Sequence, residues 1–197
     1  MSIHPIEQES YRILRGKLDL ADLPPLSRAV VARVAHATAD LELARSMVVD
    51  EASLGDAVAA LRHGAPVVAD VEMVTAGVTG VRATCFLDKV GGGASPTRSA
   101  AAMRLAATAH PAGALFVVGC APTALEALIE LALDGAVEPA FVIGTPVGFV
   151  GAADAKEALR AAAIPAASNR GDKGGSAVAA AVLNALVRAA REEADRA

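Results

Sequence analysis

Arg33, His36 and Asp40 lie at i, i+3 and i+7 of the run RVAHATAD, so a helix through it carries all three along one face. The positions between them are small or apolar. A cation, an imidazole of the kind that titrates near neutral pH and a carboxylate on one stripe make an acid–base station. The same spacing also describes a helix with a half-buried, satisfied histidine, and the pattern alone leaves both readings open. No metal site accompanies the stripe, because His4, His63 and His110 are scattered, two of them beside a turn signal.

The elements that must position these residues alternate along the chain. Residues 5–17 read as a short helix with Pro5 near its start, 25–47 as a long amphipathic helix, and 51–63 as another ended by Gly64. Short apolar runs follow: Pro66 to Ala69, closing on Asp70; a run around Cys85-Phe86-Leu87; Ala114 to Val118; Ala140 to Ile143; and a weaker one, Pro165 to Ser168. Helical segments at 97–109, 122–134, 154–162 and 174–192 fall between or after them. Continuous apolar runs ended by Gly or Asp and separated by helices predict an α/β fold. Its three layers are a mainly parallel sheet of about five strands with helices on both faces, and N-terminal helices carry the active site.

In such sheets ligands bind beyond the carboxyl ends of the strands, where glycine turns enter helix N-termini. Three segments have this form: GCAPTALEAL, GTPVGFVGAADAKEAL and NRGDKGGSAVAAAVLNAL. Each offers unpaired N–H groups as a seat for a carboxylate or phosphate. None is a nucleotide fingerprint: the chain lacks G-x-x-x-x-G-K-[ST], and no G-x-G-x-x-G follows a strand.

Composition bounds the rest. The 197 residues fit a single domain, 1–197, and 54% hydrophobic content supplies a sizeable core, much of it Ala and Val. A net charge of −4 with no sustained basic stripe argues against nucleic acid as a partner. No stretch approaches the roughly 20 apolar residues of a membrane span. Cys85 and Cys120 form no C-x-x-C pair and sit in or after apolar runs, so both are expected as buried, inert thiols in a reducing, cytoplasmic setting.

The ordered segments ESYRILR, RVAH, GAPVVADVEMV, TRSAAAMRL, GCAPTALEAL, GTPVGFVGAADAKEAL and KGGSAVAAAVLNAL are similar to those of precorrin-8X methylmutase, an isomerase family of cobalamin (vitamin B12) biosynthesis. They span about residues 3–190, and PVGFVGA-x-x-(S/A)-K is the most specific piece. The resemblance implies a homodimer of single α/β domains that moves a methyl group between neighbouring ring carbons of a tetrapyrrole, forming hydrogenobyrinic acid with no cofactor. Relatives of the anaerobic pathway act on the cobalt-containing equivalent. It puts the catalytic histidine at His36 and substrate contacts at Ser10, Arg33 and Arg98. The chain departs from the relatives in three places. Cys120 stands where an amide side chain is commoner, Ala-Thr-Ala-Asp follows His36 in place of a Cys-Gly pair, and a trimmed loop carries Gly91-Gly92-Gly93.

The residue types suit that chemistry. The migration gives a more conjugated macrocycle, so the driving force lies in the substrate. Protonation of a ring nitrogen by a His36 imidazolium lowers the barrier by about 10²–10⁴-fold in rate. Asp40 is expected first as a solvated carboxylate, with the further reading that its charge favours the imidazolium. Several substrate carboxylates require a local cluster of cations: Arg33 and Arg98, joined by Arg12, Arg15, Arg170 and Lys173 if these are not merely exposed surface charges. Two other readings are a non-catalytic tetrapyrrole carrier, indifferent to loss of His36, and an unrelated α/β enzyme of phosphate esters.

Overall fold

The computed structural model describes residues 4–91 and 97–195. Gly92 and Gly93 of the expected trimmed loop lie outside the described residues. In chain order the elements are α1 (Pro5–Lys17), α2 (Pro25–Thr38), α3 (Leu41–Arg45), β1 (Met47–Val48), α4 (Glu51–Arg62), β2 (Val67–Ala69), α5 (Glu72–Gly77) and β3 (Ala83–Cys85). After a 3₁₀ turn at Leu87–Lys89 come α6 (Arg98–Ala109), β4 (Leu115–Val118), α7 (Pro122–Leu133), β5 (Phe141–Gly144), α8 (Ala152–Ala161), β6 (Ala166–Asn169) and α9 (Ser176–Ala194).

The apolar runs form one sheet of order β1-β6-β5-β4-β2-β3, parallel except for β1 against β6. Side chains alternate between its faces. Leu115, Val117, Phe141 and Ile143 pack under α2, α4, α5 and α9. Phe116, Val118 and Val142 pack under α6, α7 and α8. Burial on both sides is why these runs are continuously apolar. The helix α1 lies outside the layers, with Leu14 and Leu18 packed against Val31 and Ala35 of α2.

Three elements depart from expectation. The helix expected over 25–47 breaks at Ala39, which is left-handed (φ 54) and donates its N–H to Ala35 O at 2.9 Å. Asp40 then caps α3 by accepting from Leu43 N at 2.9 Å, and β1 supplies a sixth strand too short to show a period. The six-residue α5 is likewise too short for a helical stripe. Cys85 is buried as expected, but Cys120 is exposed, because β4 ends at Val118 and Cys120 falls in the turn beyond.

Across the sheet the order reverses between β2 and β4. The helix after β2 covers one face and the helix after β4 the other. This is the switch-point crevice where open α/β sheets commonly take ligands.

Candidate active site

α1 and α2 lie side by side with matched pairs of side chains. Glu7 and Ser10, three apart on α1, face Arg33 and His36, three apart on α2. Ser10 Oγ is 2.8 Å from His36 Nδ1, and Arg33 Nη1 donates to Glu7 Oε1 at 3.2 Å. The Tyr11 ring stacks on the imidazole at 4.9 Å and 15°. With Nδ1 held by the Ser10 hydroxyl, Nε2 is the nitrogen available to a ligand. If Ser10 donates, Nε2 carries the proton even in the neutral ring, and in the imidazolium both nitrogens do. His36 and Ser10 are both half-buried, which lets a ligand reach them.

The expected stripe is only partly realised. Asp40 lies past the end of α2, and its carboxylate serves Leu43 N and an ion pair with Lys173 Nζ at 2.8 Å, not His36. That lysine holds the Asp40 carboxyl below the ordinary carboxylate range, with help from the Leu43 N–H. Lys173 also pairs with Glu42 at 2.8 Å, so it ties the loop after β6 to the end of α2 one turn from His36. Arg12 is paired with Glu9 at 2.6 Å, while Arg170 is exposed and Arg15 lines a groove described below. Arg98 is not brought to the cluster. It opens α6 in the opposite layer, exposed, and its Nη2 donates to Leu87 O at 3.0 Å.

The glycine loops also differ from the expected open seats. At the switch point, Asp70 from the end of β2 accepts from Gly119 N at 3.1 Å, Cys120 N at 2.8 Å and Ala121 N at 2.9 Å. The N-terminus of α7 is therefore already filled by the protein's own carboxylate, 2% exposed. Burial pushes the Asp70 carboxyl above its ordinary range, against the pull of those N–H groups. The loop before α9 is held by a cation. Buried Lys156 donates to Lys173 O at 2.6 Å and to Asn169 Oδ1 at 3.3 Å. Gly174 must be glycine there, since a Cβ would run into Thr145 O.

The family model described as precorrin-8X methylmutase matches residues 5–189. The chain belongs to the precorrin-8X methylmutase family. A cobalt-precorrin-8 methylmutase of Methanothermobacter thermautotrophicus is 39% identical, over 96% of this chain and 95% of its own. A precorrin-8X methylmutase of a Sinorhizobium species is also 39% identical, over 93% of each. Among solved structures, the precorrin-8X methylmutase of Thermus thermophilus has a TM-score of 0.87 and 34% identity, covering 95% of this chain and 96% of that one. The methylmutase described here is thus an isomerase of cobalamin biosynthesis. Among the described residues, no helix is long and apolar enough to cross a membrane.

Within this methylmutase, Glu7 and Tyr11 also belong to the cluster, and neither is marked by the stripe on α2. A signal for the first was present: Glu7–Arg33 and Ser10–His36 are complementary pairs with the same separation of 26. Nothing in the spacing foretold that Asp70 would close the α7 turn, because the groups meet across 49 to 51 residues.

Proposed function

We propose that the enzyme moves a methyl group between adjacent ring carbons of precorrin-8X to give hydrogenobyrinic acid, with His36 as acid/base. The Ser10 Oγ–His36 Nδ1 contact of 2.8 Å carries this reading. It orients the imidazole so that Nε2–H faces a ligand, and protonation of a ring nitrogen there draws electron density from the migrating system. Ser10 thereby acts on the substrate side through both its hydroxyl and the ring it holds. Arg33, one turn before His36, grips a peripheral carboxylate, while a substrate contact at Arg98 rests on the family resemblance alone, since Arg98 opens α6 away from this cluster. The active unit is a homodimer of single domains, and the free thiols Cys85 and Cys120 fit a cytoplasmic setting. A second reading, the cobalt-containing substrate, stands beside it, because the cobalt-precorrin-8 methylmutase of Methanothermobacter thermautotrophicus and the Sinorhizobium precorrin-8X methylmutase are both 39% identical to this chain.

The test is the visible absorption of the full chain incubated with precorrin-8X, beside His36→Ala. Conversion to the corrin spectrum by the wild type, slowed at least about 100-fold in the variant while product still binds, is expected. Turnover within threefold in the variant would remove His36 from the chemistry. Conversion of the cobalt form alone would transfer the assignment to that substrate. Size exclusion with light scattering measures the dimer.

A further inference from the structure

A groove of about 1340 Å³ runs between α1 and the second half of α9, over α2; His36 is not in its lining and stands behind the Tyr11 ring. Pockets for ordinary small ligands hold about 300–1,000 Å³, so this one has room for a macrocycle. Its floor of Ala29, Ala32 and Arg33 continues the α2 face on which His36 stands, at i, i+3, i+4 and i+7. Tyr11 lines the groove and stacks on the imidazole, so the groove and the candidate acid adjoin through one ring.

Two arginines of α9 face this space. Arg191 is committed, donating to Gly80 O at 2.6 Å with its guanidinium packed where a Gly80 Cβ would stand. Arg188 is held only at the surface, through Nε to Glu192 at 2.9 Å and Nη1 to Glu7 Oε1 at 3.9 Å. Glu7 Oε1 is also the atom that meets Arg33 Nη1 at 3.2 Å. One carboxylate oxygen of α1 therefore stands between guanidinium groups from two other helices. Both contacts are longer than the 2.7–2.9 Å of a formed charge-assisted bond, and half-exposed pairs of this kind contribute little to stability. A carboxylate so placed and so weakly held is replaceable by another.

We propose that the Glu7 carboxylate occupies the position of an acetate or propionate group of the tetrapyrrole, and that Arg188 is a substrate-binding residue paired with Arg33. The inference rests on the methylmutase reading above and names a subsite for it. On binding, the substrate carboxylate takes the Arg33–Arg188 fork and Glu7 turns to solvent. Left in place, Glu7 would repel a polyanionic ligand, so it acts as an internal competitor.

The experiment is steady-state turnover of precorrin-8X and spectral titration with hydrogenobyrinic acid, using the full chain and the variants Arg188→Met, Arg188→Lys and Glu7→Gln. Arg188→Met is expected to raise KM and product Kd about tenfold or more with kcat within threefold, and Arg188→Lys less, because an ammonium lacks the fork. Glu7→Gln is expected to lower both constants about threefold. A mere structural tie predicts the opposite sign, since freeing α1 would loosen the site. Binding within twofold of wild type in Arg188→Met, or weaker binding in Glu7→Gln, overturns the subsite while wild-type turnover leaves the methylmutase reading standing. Should the wild type neither bind the product nor convert either substrate, that reading falls and the subsite with it. Melting temperatures of all variants identify any that fail to fold, and Arg188→Lys then carries the test for Arg188→Met.

Discussion

Asp70 and Glu7 are both carboxylates that reach across to donors on other elements, yet they do opposite things. Asp70 is 2% exposed and accepts three N–H bonds of 2.8 to 3.1 Å at the sheet's switch point. Glu7 has a side chain 29% exposed and meets two guanidinium groups at 3.2 and 3.9 Å. The crevice where a doubly covered sheet ordinarily binds ligand is thus closed at the α7 turn by a permanent internal anion, and an open groove lies beside the N-terminal helices instead. A helix N-terminus demands an anion, but burial decides whether the chain or a ligand provides it.

The largest expected effect breaks the permanent side of this contrast. Asp70→Ala leaves three N–H groups without their acceptor, that of Gly119 buried and those of Cys120 and Ala121 partly so, and each carries a desolvation penalty to the extent that it is buried. A loss of about 3 kcal/mol in urea denaturation is expected, partly restored by added formate, which is small enough to enter the vacated nest. A loss below about 1 kcal/mol would mean that the turn relaxes to let water in, and the two carboxylates would then differ less than their burial implies.

A buried cation offers the complementary test. Lys156 is fully buried among neutral acceptors on the 169–175 loop. Burial, aided by nearby Arg160, lowers its pKa to about 8, against about 10.5 in an unfolded chain. Between those values the unfolded chain binds more protons than the folded one, so this group adds stability as pH rises from 8 and adds none on going below it. Relative to Lys156→Met, the wild type is expected to gain about 1–2 kcal/mol between pH 7.5 and 9.5, measured by urea denaturation at each pH. A flat difference would show an amine solvated like a surface lysine, and the loop it pins would need another anchor.

The same distinction explains what could be read from the chain. Runs such as Ala114 to Val118 and Ala140 to Ile143 must be apolar on both faces, so β4, β5 and the layers around them were legible, and Pro5, Gly64 and the glycine turns marked the helix ends to within a few residues. Ala39 was not legible as a break, because a left-handed alanine carries no local signature and Leu41 to Arg45 continues a helical composition. His36 and Arg33 were visible on one helix face. Ser10 entered through family resemblance, and the partners that make a site of them, Tyr11 and Glu7, come from a different helix, as does Arg188. The stripe to Asp40 fails for the same reason: its i+7 spacing from Arg33 has meaning only if the helix continues, and its carboxylate is needed to start the next one.

The smallest expected effect is the most discriminating. Glu7→Gln removes one charge from between Arg33 and Arg188 while keeping the shape of the side chain. A half-exposed ion pair offsets little more than the entropy of holding its own side chains, so stability is expected to change by less than about 0.5 kcal/mol in urea denaturation. Asp70 has less latitude because its carboxylate is 2% exposed and the Gly119 N–H it accepts from is buried, whereas both guanidinium groups around Glu7 can be rehydrated from the groove. A loss above about 1.5 kcal/mol would place Glu7 in the same class as Asp70, a carboxylate the fold cannot release. A near-zero change leaves it free to yield to a ligand, and the energy that the fold does not invest in Glu7 is then available to the carboxylate that replaces it.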